Sequence, residues 1–341
     1  MFQPLRTDRL LLRRVHLDDV EALWRRRNEP RAAELQAWPL PYTRSQAEEL
    51  IQSALNDDGP RSDEWFMMTI ADPGDSEVIG ELVLQLKWGG RAAEIGYTLD
   101  PAWWGRGYAT EASSALVEWL FSDERLTRVE GMLHPDNVAS ARVLEKVGMK
   151  LEGHTRLSFW LGDENSDDLI YGMTRSDWVE WQNRPIEAPK EVRLVEITPD
   201  NYGRIGRLET HHTQRSFVAT MAQSYADALF PEVYEGAPMV PWMRGVAADG
   251  DLVGFVMLAE ITDHHPEPYL WRLLVDRLHQ RRGIGTSVLD EVVAAAEAMG
   301  AHSLVTSWEE GRGSPKPFYE RYGFESTGRI IDGEVEARLA L

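Results

Sequence analysis

The sequence predicts an α/β protein made of two tandem copies of one mixed-sheet domain, and three observations predict it. First, the same punctuation occurs twice: an apolar run ends at Asp100 and again at Asp276, and a glycine, Gly107 or Gly283, follows seven positions later. Lys146-Val147-Gly148-Met149 and Arg321-Tyr322-Gly323-Phe324 then close an amphipathic stretch 41 and 40 positions beyond those glycines. Second, a hairpin signal precedes each motif: Asp72-Pro73-Gly74-Asp75 before Val78-Ile79-Gly80, and Asp249-Gly250-Asp251 before Leu252-Val253-Gly254. Third, 341 residues at about 150 per domain ask for two domains rather than one core.

Within each copy the expected order is helices, a hairpin, a strand, a glycine loop, a helix, a strand, a helix and final strands. Ala109, Ala112, Leu116, Trp119 and Leu120 share one helical face after the first loop; Ile284, Val288, Leu289, Val292, Val293 and Ala296 do so after the second. Arg128–Leu133 and Ser303–Trp308 read as the strands that follow. The stretch Asn183–Lys190 carries two prolines and neither a helical nor a strand period. It reads as a linker, 183–190, between copies at 1–182 and 191–341.

Composition narrows the chemistry. Apolar residues make up 43% of the chain, enough for packed cores. Lys and Arg total 36 against 56 Asp and Glu, a formal charge of -20. Such a surface repels phosphate backbones and anionic lipid and would gather cations, although plain solubility explains it as well. No nucleic-acid or membrane partner is expected. There is no cysteine, which excludes disulfides, thiolate metal sites and a cysteine acyl-enzyme. With no apolar segment near Met1 and no run of about 18 apolar residues, a soluble, cytoplasmic protein is expected. His211-His212 and His264-His265 lack partners at metal-ligand spacing and read as exposed loop residues, so no metal is expected. The acidic run Asp163–Asp168 reads as a solvated loop rather than the rim of an amine site.

A strand that feeds a glycine turn and opens a helix leaves several backbone N–H groups free at the helix N-terminus, an arrangement that holds pyrophosphate. Gly107, Gly283 and Gly285 allow close backbone approach, and Arg106, Arg281 and Arg282 add local positive charge. Neither loop fits a dinucleotide fingerprint or a P-loop: Gly105-Arg106-Gly107-Tyr108-Ala109-Thr110 lacks the third glycine, and no Gly-Lys-Ser/Thr occurs.

Gln280-Arg281-Arg282-Gly283-Ile284-Gly285 resembles the acetyl-CoA pyrophosphate loop of the GNAT superfamily of N-acetyltransferases. Trp104-Gly105-Arg106-Gly107-Tyr108-Ala109 resembles it too, except that Trp104 stands where Gln or Arg is usual. The first copy is similar to the ribosomal-protein-alanine (Rim-type) group in Thr7-Asp8-Arg9-Leu10, in Trp104 to Glu111 and in Asn137 to Gly148. The second is similar to the diamine/spermidine group in Tyr269-Leu270-Trp271-Arg272, in Ser314 to Phe324 and in Asp332-Gly333-Glu334. The resemblance implies two domains, each a mixed sheet with splayed central strands flanked by helices, and acetyl-CoA as cosubstrate. Leu99 and Val275 would offer backbone groups to the pantetheine and thioester.

For the second copy the resemblance implies Tyr319 as the general acid that protonates departing thiolate. For the first it implies Glu94 as base, Ser140 as hydroxyl donor and Asn137 on the CoA side. Asn137 also fits a helix N-cap and Ser140 a first-turn residue. Leu144 takes the position of Tyr319. Counting back from Asp276 sets Leu270 against Glu94, so the second copy has no carboxylate there. Glu260, Glu309, Glu310 and Glu334 remain as bases or cation anchors, with Glu334 taken as substrate-binding. The favoured activity is direct acetyl transfer in a ternary complex to a primary amine of a cationic small molecule, a polyamine-like compound or an amine antibiotic. The alternatives are a protein N-terminal acetyltransferase and a CoA-binding module without catalysis. Nothing in the sequence sets an oligomeric state.

Overall fold

A computed structural model describes residues 2–36, 38, 40–161, 163–234 and 236–341. Contacts divide the chain into Met1–Gln182 and Asn183–Leu341. The first unit begins with strands β1 (Leu5–Arg6) and β2 (Leu11–Arg14) and helices α1 (Val20–Arg27), α2 (Pro30–Ala33) and α3 (Arg44–Ala54). Strands β3 (Trp65–Ala71), β4 (Val78–Lys87) and β5 (Ala92–Leu99) follow, then α4 (Tyr108–Phe121), β6 (Arg128–Leu133) and α5 (Val138–Val147). The hairpin β7 (Lys150–Leu161) and β8 (Glu164–Thr174) precedes α6 (Arg175–Asn183). The sheet order is β1-β2-β3-β4-β5-β6-β8-β7, and among the described strands of this sheet only β5 and β6 pair in parallel.

The second unit repeats this plan with β9 (Val192–Val195), α7 (Tyr202–Ile205), α8 (Met221–Leu229), β10 (Val233–Tyr234) and β11 (Ala237–Pro238). Its main elements are β12 (Pro241–Ala248), β13 (Asp251–Ala259), β14 (Tyr269–Val275), α9 (Ile284–Ala298), β15 (Ser303–Trp308), α10 (Lys316–Tyr322), β16 (Glu325–Ile331) and β17 (Glu334–Ala340). Seven strands order as β16-β17-β15-β14-β13-β12-β9, with β14 and β15 parallel. Each unit is thus a mixed α/β sheet with helices on its faces.

Local chemistry sets the punctuation. Thr43 caps α3 by accepting from Gln46 N, while the Gln46 side chain accepts from Thr43 N. The Asp72 carboxylate accepts from the backbone N–H groups of Gly74, Ser76 and Glu77 and so closes the β3–β4 turn. Asp249 and Gly250 have φ of 51° and 93°, the primed geometry that joins Ala248 to Asp251 in a two-residue hairpin. In the second unit Val288, Leu289, Val292, Trp308, Tyr319 and Phe324 cover one sheet face. Ile205, Met221, Phe255, Trp271 and Leu274 cover the other.

Two expectations need correction. Glu164 to Asp168 lie in β8 rather than in a loop, with Asp167 bonded to His154 and to Leu157 N and Asp168 to Ser158. His265 is buried and His211 and His212 are half-buried, not exposed, and the His265 backbone N–H donates to Thr262 Oγ1.

Gly80 and Gly254 occupy the same place in the two units, opposite the last residue of the central strand. A Cβ on Gly80 would lie 2.5 Å from Thr98 O, and one on Gly254 2.5 Å from Leu274 O. Because the obstacle is backbone, Gly80→Ala and Gly254→Ala should each cost about 1–3 kcal/mol in denaturant unfolding. An unchanged midpoint would show that the strands separate without cost.

Candidate active site

The parallel strands stay together only briefly. β5 pairs with β6 over Ala92–Glu94, and β14 pairs with β15 over Tyr269 and Leu270; beyond these residues the strands part. What faces the opening follows from the antiparallel ladder on the other side. Asp100 N donates to Ile79 O, so Leu99 and Gly80 form a non-hydrogen-bonded pair, and both backbone polar groups of Leu99 turn away from β4. Alternation gives Tyr97 and Ile95 the same orientation. Asp276 N donates to Val253 O, which turns Val275 in the same way.

The loops at the ends of these strands are built alike. Trp104 Nε1 donates to Leu99 O at 2.9 Å, and Gln280 Nε2 donates to Val275 O at 3.0 Å. The tryptophan is therefore not a defect in the motif. Both side chains staple the loop to a carbonyl five residues back, and the N–H groups of Leu99 and Val275 remain turned to the opening. Gln280 also exchanges amide bonds with Gln214. Gly105 and Arg281 take φ of 75° and 65°, and Gly107 and Gly283 take 83° and 79° as the N-caps of α4 and α9. The N–H groups of Tyr108 and Ala109, and of Ile284 and Gly285, head those helices without a carbonyl one turn back.

Several sequence-based roles change at side-chain level. The Trp104 and Gln280 side chains bond within the loop itself. Arg282 is buried, donating to Glu187 O at 2.7 Å and meeting His279 Nδ1 at 2.9 Å, so its side chain is held inside the protein rather than on the loop surface. The Ile284 side chain lies in the core, leaving its N–H as its only contribution at the loop. Arg106 and Arg281 stay exposed. Arg9, not singled out from sequence, donates to Arg106 O at 3.0 Å and to Glu111 Oε2 at 2.6 Å, with its guanidinium 4.5 Å above the Tyr108 ring. Its signal lay in the Thr7–Leu10 and Glu111 segments, whose joint task required the fold.

In the second unit Tyr319 is buried, stacked on Trp308 with ring centroids 6.1 Å apart and edge-on to Phe324. Burial pushes its hydroxyl well above the ordinary value of 10.0, so it stays protonated. Its hydrogen-bonding neighbour is Thr306, which donates to Leu270 O at 3.1 Å. On the next residue Ser307 meets the Tyr269 hydroxyl at 2.6 Å and donates to Glu334. Glu334 therefore joins the cluster, and its charge acts on both tyrosines. Glu310 is paired with Lys316 at 2.8 Å, and Glu309 is exposed.

The first unit is different. Leu144 is buried against Gly131, and the tyrosine hydroxyl comes from the strand: Tyr97 donates to Ser140 O at 2.9 Å, again pushed upward by burial. Asn137 Oδ1 accepts from Ser140 N at 3.1 Å, the N-cap of α5. Glu94 is ion-paired with Lys87 at 2.5 Å, the first step of a ladder through Glu130 and Arg128 to Glu152. Burial alone would lower the pKa of the Lys87 ammonium, but the hydrogen bonds it donates to Glu94 and Glu130 outweigh that and raise it.

The count that set Leu270 against Glu94 slips by one. β13 pairs Met257 with Arg272 and Leu258 with Leu270, so Trp271 is an extra, bulged residue; β4 and β5 pair without a shift. Leu270 packs on the Tyr319 face, whereas Tyr269 and Trp271 pack on the other. Tyr97 reaches α5, which puts Glu94 on the face away from that helix. The counterpart of Glu94 is Tyr269.

Two strands splayed beside a glycine loop at a helix N-terminus form a cleft with an anion-binding end, present twice. Residues 9–150 match the family described as acetyltransferase (GNAT) domain, and residues 209–324 the acetyltransferase (GNAT) family. The chain belongs to the GNAT acetyltransferases, as two domains in tandem, and is an N-acetyltransferase. It is 26% identical over 175 residues to the uncharacterized N-acetyltransferase YnaD of Bacillus subtilis, covering 50% of this chain and 97% of that protein. It is 24% identical over 115 residues to the [ribosomal protein uS5]-alanine N-acetyltransferase of Escherichia coli, covering 33% of this chain and 59% of that one. Among solved structures it is similar to the spermidine N-acetyltransferase from Vibrio cholerae in complex with CoA and spermine. That match has 18% identity and a TM-score of 0.44, covering 51% of this chain and 99% of that one. Among the described residues no helix is long and apolar enough to cross a membrane.

Losing one staple bond, about 1 kcal/mol, should weaken acetyl-CoA binding about fivefold in the domain concerned. Trp104→Phe and Gln280→Ala, titrated by calorimetry, test this. Unchanged affinity in both would mean that the loops hold their shape without the staples.

Proposed function

We propose that the second domain transfers acetyl from acetyl-CoA directly to a primary amine of a cationic small molecule, polyamine-like or an amine antibiotic. The observation that carries this reading is the position of Glu334. Its carboxylate acts on the hydroxyls of both Tyr319 and Tyr269, where an arriving ammonium would gain from a negative charge. Glu232 acts on Tyr269 as well. The loop N–H groups and Arg281 would take the pyrophosphate, and the outward-facing groups of Val275 the pantetheine. The amine nitrogen attacks the thioester carbon, the C–S bond breaks, and Tyr319 gives its proton to the thiolate. With no cysteine in the chain, no thiol relay intervenes.

The first domain would bind acetyl-CoA in the same way. Its likeness to the uS5-alanine acetyltransferase favours a second reading, acetylation of a protein N-terminus, with Glu94, Ser140 and Asn137 in the roles that likeness implies. Against it stand Leu144 in place of an acid and the pairing of Glu94 with Lys87.

Tyr319→Phe should lower kcat on spermidine about 100-fold and leave acetyl-CoA affinity unchanged. Because burial raises the Tyr319 hydroxyl, the wild-type rate should not fall through loss of this proton donor below its ordinary value of 10.0. Thiol release on free polyamines and on peptides decides between the readings. Turnover of peptides alone overturns the first; binding of acetyl-CoA without transfer to any amine points to a non-catalytic module.

A further inference from the structure

Proton accounting leaves one side of the second domain unfilled. Tyr319 serves the departing thiolate, but the attacking ammonium must lose a proton, and the bulge at Trp271 puts a tyrosine where the first domain has Glu94. Thr306 and Ser307 are consecutive in β15 and therefore point to opposite faces of the sheet. Thr306 lies by Tyr319, and Ser307 lies by Tyr269 and Glu334. Donor and acceptor groups are thus set on the two sides of the opening between β14 and β15.

We infer that Tyr269, Ser307 and Glu334 form a hydroxyl relay that takes the proton from the amine, replacing the strand carboxylate that this domain lacks. The hydrogen bonds have a fixed sense. Ser307 has one hydroxyl hydrogen and gives it to Glu334, so Tyr269 must donate to Ser307 Oγ. An ammonium proton passes to Tyr269 Oη as the Tyr269 proton moves to Ser307 and the Ser307 proton moves to Glu334. The nitrogen lone pair then forms the C–N bond. Tyr269 and Ser307 end neutral, Glu334 ends protonated, and Tyr319 has given its proton to sulfur. As the C–S bond breaks, the nitrogen sheds its second proton, which replaces the one Tyr319 gave to sulfur, and the exposed Glu334 releases its own to water. Arg272 and Glu232 are the other charged groups acting on Tyr269. Arg272 is tied to Asp227 at 3.1 Å, and Tyr269 in turn acts on Tyr319, which lies on the other face of the sheet.

The relay rests on the proposed acetylation of small amines, so its test begins with wild-type turnover of spermidine by acetyl-CoA. Glu334→Gln keeps an acceptor for Ser307 but cannot take a proton. It should lower kcat about 100-fold, raise KM for spermidine about fivefold at most as the ammonium loses one attracting charge, and make the residual rate climb with pH as hydroxide replaces the base. Tyr269→Phe should give the same phenotype, and the double variant should be no worse than either single one, as expected for members of one chain. A raised KM with unchanged kcat and pH profile in Glu334→Gln would overturn the relay and leave Glu334 as an ammonium anchor. Additive losses would overturn it also. No turnover of any amine by the wild-type chain would overturn the function reading, and the relay with it.

Discussion

Two parallel strands that stop pairing after two or three residues are the constraint from which both sites follow. Backbone N–H and C=O groups are costly to leave without partners. Past Glu94 and past Leu270 those of the central strand face an opening instead of a neighbour. An extended ligand with amide groups of its own completes such a half-ladder. The glycine loop at the strand's end then places a helix N-terminus where a pyrophosphate can follow, and each staple to Leu99 or Val275 fixes the junction between ladder and loop.

The two domains meet these requirements with different side chains. An indole N–H and a carboxamide make the same bond to the same carbonyl because the task demands one donor at one distance, not one residue type. A left-handed backbone position is filled by Gly105 in one loop and by Arg281 in the other. That conformation costs a residue other than glycine about 1–2 kcal/mol. The second loop bears that cost to keep an exposed guanidinium beside its helix N-terminus. The proton chemistry diverges more. A buried tyrosine on α10 and a hydroxyl chain serve the second domain, while the first has a tyrosine on β5 and a carboxylate bound into a ladder of ion pairs.

Much of this was legible in the residues. Hairpins, loops and the repeat rest on short-range chemistry: Asp-Gly at a primed turn, glycine at a positive φ, apolar residues at helical spacing. The two loops were reached in that way, whereas Tyr319 and Glu334 were singled out through the resemblance. What failed depended on distance in space. Arg282 was counted as loop charge, yet it folds back onto Glu187 and His279; Arg9 was passed over, yet it lies across the first loop. A linear sequence does not say which way a long side chain turns.

The amino-acid order by itself determined two copies of one domain and the positions of their glycine turns, because these follow from periodicity and local backbone preference. Only the tertiary structure decided which residue stands opposite Glu94. A bulge is invisible to counting, and one inserted residue sends each earlier side chain of a strand to the other face. For that physical reason Tyr269, rather than Leu270, joins Ser307 and Glu334 at the mouth of the opening.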